Sequence, residues 1–219
     1  MRILWLVNRE LPDIAHKEGL AVNSAQGWLI GLSNALVKDA NLELIIMVTS
    51  TEIKRIAEGK VNGYRYIVIP QAIDKAKYDK SLSSKFAEYI RKVDPDIVHI
   101  MGSEFPQTYS MMQALEELKM IERAVISIQG IAAVYADHYC KELPHSLRKR
   151  NTLRDYLYKS SLIDDEQIYR TRGVYEILAL KKAHHIIGRT DWDKACVEWF
   201  NPKANYHINN ETLRPTFYE

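Results

Sequence analysis

Several places in this chain put side chains capable of recognition or proton chemistry directly after short apolar runs. "DIVHI" (Asp96–Ile100) leads into "MGSEFPQ", which gathers His99, Gly102, Ser103 and Glu104 at one strand end. "AVISI" (Ala124–Ile128) is followed by Gln129 and Gly130, and "HHIIG" (His184–Gly188) by Arg189, Thr190 and Asp191. The first run, "RILWLV" (Arg2–Val7), opens into a long polar loop that reaches a helix near Ser24 or Gln26, with Gln26, Gly27 and Trp28 at its start. Ligands of open α/β sheets sit at the carboxyl ends of the strands, so these are the positions where chemistry would collect.

Each position carries two readings. Gly27 at a helix start lets backbone N–H groups approach a phosphate, and it equally permits close helix packing. His99 lies inside an apolar strand, where a hydrogen-bonded core histidine is the commoner role. Glu104, just ahead of Phe105-Pro106, is also suited to capping the next helix, and Thr190 or Asp191 is a good N-cap. Gln129-Gly130 suits a ligand contact and a turn alike. Arg189 stands out, because a cation beside a helix N-terminus is unfavourable and an anionic ligand would relieve that conflict. The chain has no G-x-G-x-x-G and no P-loop lysine signature. His138, Cys140 and His145 match no structural zinc spacing. No metal or other cofactor is expected, and no residue is assigned as catalytic acid or base.

The elements that must position these residues follow from periodicity. "RILWLV", "LELIIMV" (Leu42–Val48), "DIVHI" and "AVISI" are apolar almost throughout, as strands covered on both faces are. "YRYIVI" after the Asn62-Gly63 turn signal, "HHIIG" and Asn205–Asn209 are weaker strand candidates. Between them Trp28, Leu29, Leu32, Leu36 and Val37, then Phe86, Tyr89, Ile90 and Val93, then Met111, Met112, Leu115, Leu118 and Met120 recur as helical apolar faces. Strands alternating with helices predict an α/β fold, a Rossmann-like, doubly wound, mostly parallel sheet with helices on both faces. One domain over 1–210 is expected, with a helical insertion around 131–182 that shapes the cleft.

Composition bounds the rest. With 219 residues, 47% apolar, 26% charged and a net charge of +2, the chain is an ordinary globular one with no electrostatic case for nucleic acid. Two distant cysteines suggest a reducing, cytoplasmic compartment. No run approaches the roughly 18 apolar residues of a spanning helix. The stretch 141–159 is different: Lys141, Arg148, Lys149, Arg150, Arg154 and Lys159 surround Tyr156, Leu157 and Tyr158. That mixture suits a solvated helix face, or a peripheral contact at the inner face of a membrane or with an anionic acceptor.

The motifs in their order resemble the N-terminal half of a GT-B glycosyltransferase of the large retaining family 4. "MRIL" opens the chain, and Gln26-Gly27-Trp28 stands where that family places a Gly-Gly or Gln-Gly element. "PDIVHIMG" (Pro95–Gly102) is similar to "PDIVHxHG", and "AHHIIGRT" (Ala183–Thr190) to "ADxVI..S". "INNETLRPTF" (Ile208–Phe217) has the length of "IPNGVDxxxF". Three departures stand out: Gln129 for a histidine that often faces the transferred sugar, Glu211 for glycine and Leu213 for aspartate. The resemblance implies a hexosyltransferase moving a sugar from a nucleotide-sugar to a polysaccharide or lipid-linked acceptor with retention. Gln26, Gly27 and Trp28 would face the donor diphosphate. His99, Gly102, Ser103, Glu104, Gln129, Gly130, Arg189 and Thr190 would line the acceptor cleft. Residues 211–219 would begin the linker to a donor-binding C-terminal domain, with Asn210, Leu213 and Phe217 at the hinge, and this half alone would be inactive. Two competing readings are a non-catalytic α/β domain that binds a small anionic ligand and an unrelated enzyme on a similar sheet.

Overall fold

The computed structural model describes residues 1–22, 27–71, 74, 76–158 and 160–212; Ser24, Gln26, Lys159, Leu213, Phe217 and Tyr218 lie outside them. The strands are β1 (Arg2–Val7), β2 (Glu43–Ser50), β3 (Ala57–Val61), β4 (Tyr64–Pro70), β5 (Ile97–Met101), β6 (Ala124–Ser127), β7 (His185–Gly188) and β8 (Asn205–Ile208). They form one sheet in the order β3-β4-β2-β1-β5-β6-β7-β8. Every neighbouring pair is parallel except β3 with β4. The expected α/β, Rossmann-like, mostly parallel sheet with helices on both faces is the fold observed.

The apolar runs have the expected physical cause. In β1, Leu4 and Leu6 enter one core with α3 (Ser81–Val93) and α4 (Gln107–Glu117). Trp5 and Val7 enter a second core, on the opposite face, with Leu29 of α2 (Gly27–Leu36). Alternate side chains of a strand point to opposite faces, so a strand buried on both sides must be apolar at every position. At the end of α3, Asp94 adopts a left-handed conformation (φ 43°) and returns its N–H to Ile90, and Pro95 prevents continuation.

Two elements depart from the sequence-based expectation. The polar loop after β1 contains a helix, α1 (Pro12–Glu18), with Pro12 in its first turn and Gly19 (φ 67°) as its left-handed end. Pro at a helix start and Gly just past its end is a readable signature, but seven residues are too few to show a period. The second departure is β3, which pairs with β4 through the two-residue turn Asn62-Gly63, both at positive φ. That is the turn geometry that matches strand twist. The edge strand "AEGKV" alternates, with Ala57 and Val61 packed against the second core and Glu58 and Lys60 exposed, but it is short and weakly apolar; its charged residues discourage pairing with another sheet.

The insertion is helical but broken: α5 (Ala132–His138), α6 (His145–Arg148), α7 (Leu153–Tyr158) and α8 (Leu162–Leu180), followed after β7 by α9 (Asp191–Phe200). Ser161 starts α8 with a reciprocal cap to Asp164. Halfway along α8, Gly173 lets α5 approach: a Cβ there would lie 2.5 Å from Ala133 Cα and 2.9 Å from its nitrogen. Because both are backbone atoms, they cannot swing aside. Alanine in a helix interior gains about 1 kcal/mol over glycine, while overpacking costs about 1–3 kcal/mol. Gly173→Ala should therefore lower the melting temperature; a rise would show that the two helices separate freely.

Candidate functional site

Helices α1 and α2 cover the Trp5 face, whereas α4 covers the Leu4 face. The connections that leave β1 and β5 therefore diverge, which opens a crevice at the carboxyl edge where a ligand is expected. A cavity of about 170 Å³ lies there. Its walls are Trp28 and Leu32 of α2, His99 of β5, Ser127 of β6, Gln129, Arg189 and the segment Asn209–Thr212 that follows β8. The last segment is anchored across the cleft, since Thr212 Oγ1 donates to the Trp28 carbonyl at 3.0 Å.

His99 and Ser127 lie on the same face of adjacent strands, with His99 Nε2 2.7 Å from Ser127 Oγ. Trp5 packs edge-on to the imidazole, ring centres 6.5 Å apart. Burial lowers the His99 pKa to about 4, so the ring is neutral at physiological pH. A neutral imidazole hydrogen-bonded to a hydroxyl can exchange hydrogen bonds with a sugar-like ligand without carrying charge into the cleft.

Arg189 meets anions and dipoles of its own chain. Its Nη2 donates to the Gln129 carbonyl at 2.8 Å, and its Nη1 stands 3.1 Å from Glu211 Oε1, an ion-pair distance. The unfavourable placement of a cation at a helix start is thus answered by the Glu211 carboxylate. The helix start itself is closed by a reciprocal cap: Thr190 Oγ1 accepts from Asp193 N at 3.1 Å, and Asp193 Oδ2 accepts from the N–H groups of Arg189 and Thr190.

Of the residues singled out in the sequence, Trp28, His99, Gln129, Arg189 and Asn210 line this cavity. Gly102, Ser103, Glu104 and Gly130 belong to the supporting layer behind it. Thr190 is engaged in its cap, and Gly27 is buried at the start of α2. Gln26, Leu213 and Phe217 fall outside the described residues. Glu211, marked in the sequence only as a departure from the motif glycine, also lines it, as do Ser127 and Thr212, which the sequence reading did not single out. For Ser127 the signal was available, as the lone hydroxyl in "AVISI".

The supporting layer is polar and buried. Gln107 at the start of α4 donates to Asn8 Oδ1 at 2.8 Å and accepts from Thr49 Oγ1 at 2.7 Å, so the ends of β1, β2 and α4 are tied together. Asn8 Nδ2 in turn donates to Glu104 Oε1 at 2.9 Å. Gly102 sits between them at φ 114°, a conformation that favours glycine, and a Cβ there would strike both Asn8 and Glu104. Burial raises the Glu104 carboxyl pKa. Beneath these loops lies Glu176 of α8, with no solvent exposure. Its Oε1 accepts from Ser103 Oγ at 2.6 Å and its Oε2 from Ala133 N at 2.8 Å. Arg172, one turn earlier, donates from Nε to the Glu104 carbonyl at 2.6 Å and stacks over Phe105, 4.1 Å from the ring centre. Nothing in the sequence marked Glu176 or Arg172, because neither follows a strand. Among the described residues no group of three or more His, Cys, Asp or Glu side chains is placed to hold a metal ion.

Burial pushes the Glu176 carboxyl up to about 7 from an ordinary 4.5, with the Ser103 hydrogen bond opposing the shift. Between about pH 4.5 and 7 the folded chain keeps a proton that the unfolded chain has released, so this group's contribution to stability falls as pH rises. His99, shifted the other way, contributes stability that is lost as pH falls from about 6.5 toward about 4. Glu176→Gln should remove the first slope: the melting-temperature gap between variant and wild type should shift in the variant's favour from pH 5 to pH 8. A gap that does not change with pH would show that Glu176 is ionised throughout. Glu176→Ala should cost roughly 1–3 kcal/mol, because the Ala133 N–H loses its acceptor and Ser103 keeps only its longer bond to the Gly130 carbonyl at 3.2 Å.

No protein-family model matches the sequence, and no curated protein matches it. Among solved structures, the chain is similar to sucrose-phosphate synthase from Thermosynechococcus elongatus at 12% identity and a TM-score of 0.51, over 95% of this chain and 47% of that one. UDP-GlcNAc 2-epimerase from Methanocaldococcus jannaschii aligns over 96% of this chain and 46% of its own, at 10% identity and a TM-score of 0.47. Glycyrrhiza uralensis UGT73P12, complexed with glycyrrhetinic acid 3-O-monoglucuronide, aligns over 95% and 48%, at 11% identity and a TM-score of 0.42. The chain spans about half the length of each. The first likeness is one of fold.

Proposed function

We propose that this chain is the acceptor-binding, N-terminal half of a GT-B glycosyltransferase of the retaining family 4 type. In this reading a longer polypeptide moves a sugar from a nucleotide-sugar to a polysaccharide or lipid-linked acceptor. The observation that carries the proposal is the crevice at the carboxyl edge of the sheet, where neutral His99, the Ser127 hydroxyl, Gln129 and Arg189 share a lining with Trp28. An aromatic wall with neutral hydrogen-bonding groups suits a polyhydroxylated acceptor, which offers hydroxyls and apolar C–H faces but no charge. The fold likeness to about half of a sucrose-phosphate synthase supports the same assignment, as does the order of the sequence motifs.

In this mechanism the chain's own groups bind and orient. His99, held by Ser127, would accept or donate a hydrogen bond to an acceptor hydroxyl, and Gln129 would fix a second one. Arg189 would hold the Gln129 loop through that residue's carbonyl, as it does here at 2.8 Å. The first turn of α2 carries no acidic residue, and in this reading its N–H groups would meet the donor diphosphate across an interdomain cleft and lessen the charge developing on the leaving group. The donor nucleotide would be held by a C-terminal domain, joined through the segment that begins near Asn210 and Glu211.

The reading is tested by nucleotide-sugar hydrolysis and transfer, assayed on a polypeptide that carries both halves and on this chain alone. Activity is expected in the first and not in the second. Within the two-domain protein, Arg189→Ala and His99→Ala should each lower kcat/KM by about tenfold or more, in line with the loss of one or two oriented hydrogen bonds. Unchanged kcat/KM in both variants would remove the site assignment. Binding of a small anion by this chain without any sugar turnover in the longer protein would favour the non-catalytic reading instead.

A further inference from the structure

We propose that the segment from Lys141 to Tyr158 seats the protein on the surface of an anionic phospholipid bilayer. The first observation is exposure. In α7, Leu153, Tyr156, Leu157 and Tyr158 are 77%, 79%, 66% and 75% exposed, and Leu143 and Leu147 just before it are also exposed. Leu153, Tyr156 and Leu157 are spaced to share one helix face, and a six-residue helix has little stability of its own in water. An apolar face of this size on so short a helix lacks the packing that usually supports one.

The second observation is charge. Between residues 141 and 158 there are five Lys and Arg against two acidic residues, in a chain whose net charge is only +2. The remainder of the chain is therefore slightly acidic, and the positive field is concentrated beside the apolar face. Leucine and tyrosine interleaved with basic residues are the composition of segments that lie in the headgroup region, with tyrosine rings at the boundary and basic side chains reaching outward to phosphates.

A third observation gives the surface a receptor for a headgroup. His145, Arg148 and Lys149 of the α6 region and Arg170 of α8 line a cavity of about 240 Å³. Glu166 is shared at its floor between Arg148 and Arg170, both at 2.8 Å, and Asp137 pairs with Arg170 at 3.1 Å. With Lys149 included, three cations face two carboxylates, which leaves one positive charge for a phosphodiester. Among the described residues no helix is long and apolar enough to cross a membrane, so the contact is one of surface seating. It stands independently of the transferase reading, since binding to vesicles is measured without any sugar chemistry.

The experiment is co-sedimentation of the chain with phosphatidylcholine vesicles, plain or carrying about 30% phosphatidylglycerol. Wild type should bind the anionic vesicles, and binding should weaken with salt. Each basic residue near such a surface strengthens binding about fivefold. With Arg148 already paired to Glu166, the quadruple variant R148Q/K149Q/R150Q/R154Q should therefore lose at least about a hundredfold in partition coefficient. L153S/Y156S/L157S should lose binding to a similar degree while keeping its melting temperature, because these three side chains are mostly exposed; if it melts early, Tyr156→Ser alone is read in its place. Equal binding to plain and anionic vesicles, no loss in the charge variant, or full binding in the apolar variant would each overturn the proposal. Displacement from vesicles by millimolar inorganic phosphate at constant ionic strength would assign the 240 Å³ cavity to a free phosphate and overturn its role as a headgroup receptor.

Discussion

The covering of the central strands on both faces is the constraint on which the rest of this structure depends. In β1 every side chain from Leu4 to Val7 is at most 1% exposed, alternately against the α3–α4 layer and the α2 layer. An unpaired polar group there would cost several kcal/mol. Polar residues are therefore displaced to the strand ends, and in a parallel sheet the carboxyl ends all lie on one edge. A cleft rich in hydrogen-bonding groups is the consequence of packing before it is the consequence of any selection for chemistry. His99 is an instructive exception: it lies in the middle of β5, on the same face as Ser127 at the end of β6, and its ring is bonded to that hydroxyl at 2.7 Å.

A loop edge does not hold its own shape, and a buried carboxylate supplies what is missing. Glu176 accepts from Ser103 in the loop after β5 and from Ala133 at the start of the helix that follows β6, so two loops that form the edge hang from one side chain of α8. Gly173, on the same helix, permits the approach that places that carboxylate. Asn8, Gln107 and Thr49 do the equivalent work on the other side of the crevice. The geometry of the cleft is thus set by groups that do not touch it, as preorganised sites require.

Charge is partitioned in the same spirit. Inside the crevice Arg189 is held by Glu211 and a backbone carbonyl, so the cavity presents dipoles more than net charge. The excess positive charge lies elsewhere, around α6 and α7, beside exposed leucine and tyrosine side chains. A single chain therefore presents a nearly neutral crevice and a cationic amphipathic surface, two chemically different environments.

The sequence by itself determined the fold class and the edge on which the site would form. Apolar continuity marks a doubly covered strand and helical spacing marks its cover, so the strands from Arg2, Glu43, Tyr64, Ile97, Ala124, His185 and Asn205 were legible, as were Trp28, His99, Gln129, Arg189 and Asn210, which line one cavity. Period-based reading failed where elements are short or weakly apolar: α1 spans seven residues, and β3 alternates over only five, with Ala57 and Val61 as its inward apolar side chains. Only the tertiary structure decided the supporting layer. Glu176 lies 73 residues from Ser103 and 43 from Ala133 along the chain, and Glu211 reaches Arg189 from beyond β8. Nothing local distinguishes a carboxylate that will be buried beneath a cleft from one that will face water; that difference arises only when α8 packs against α5 and brings it there.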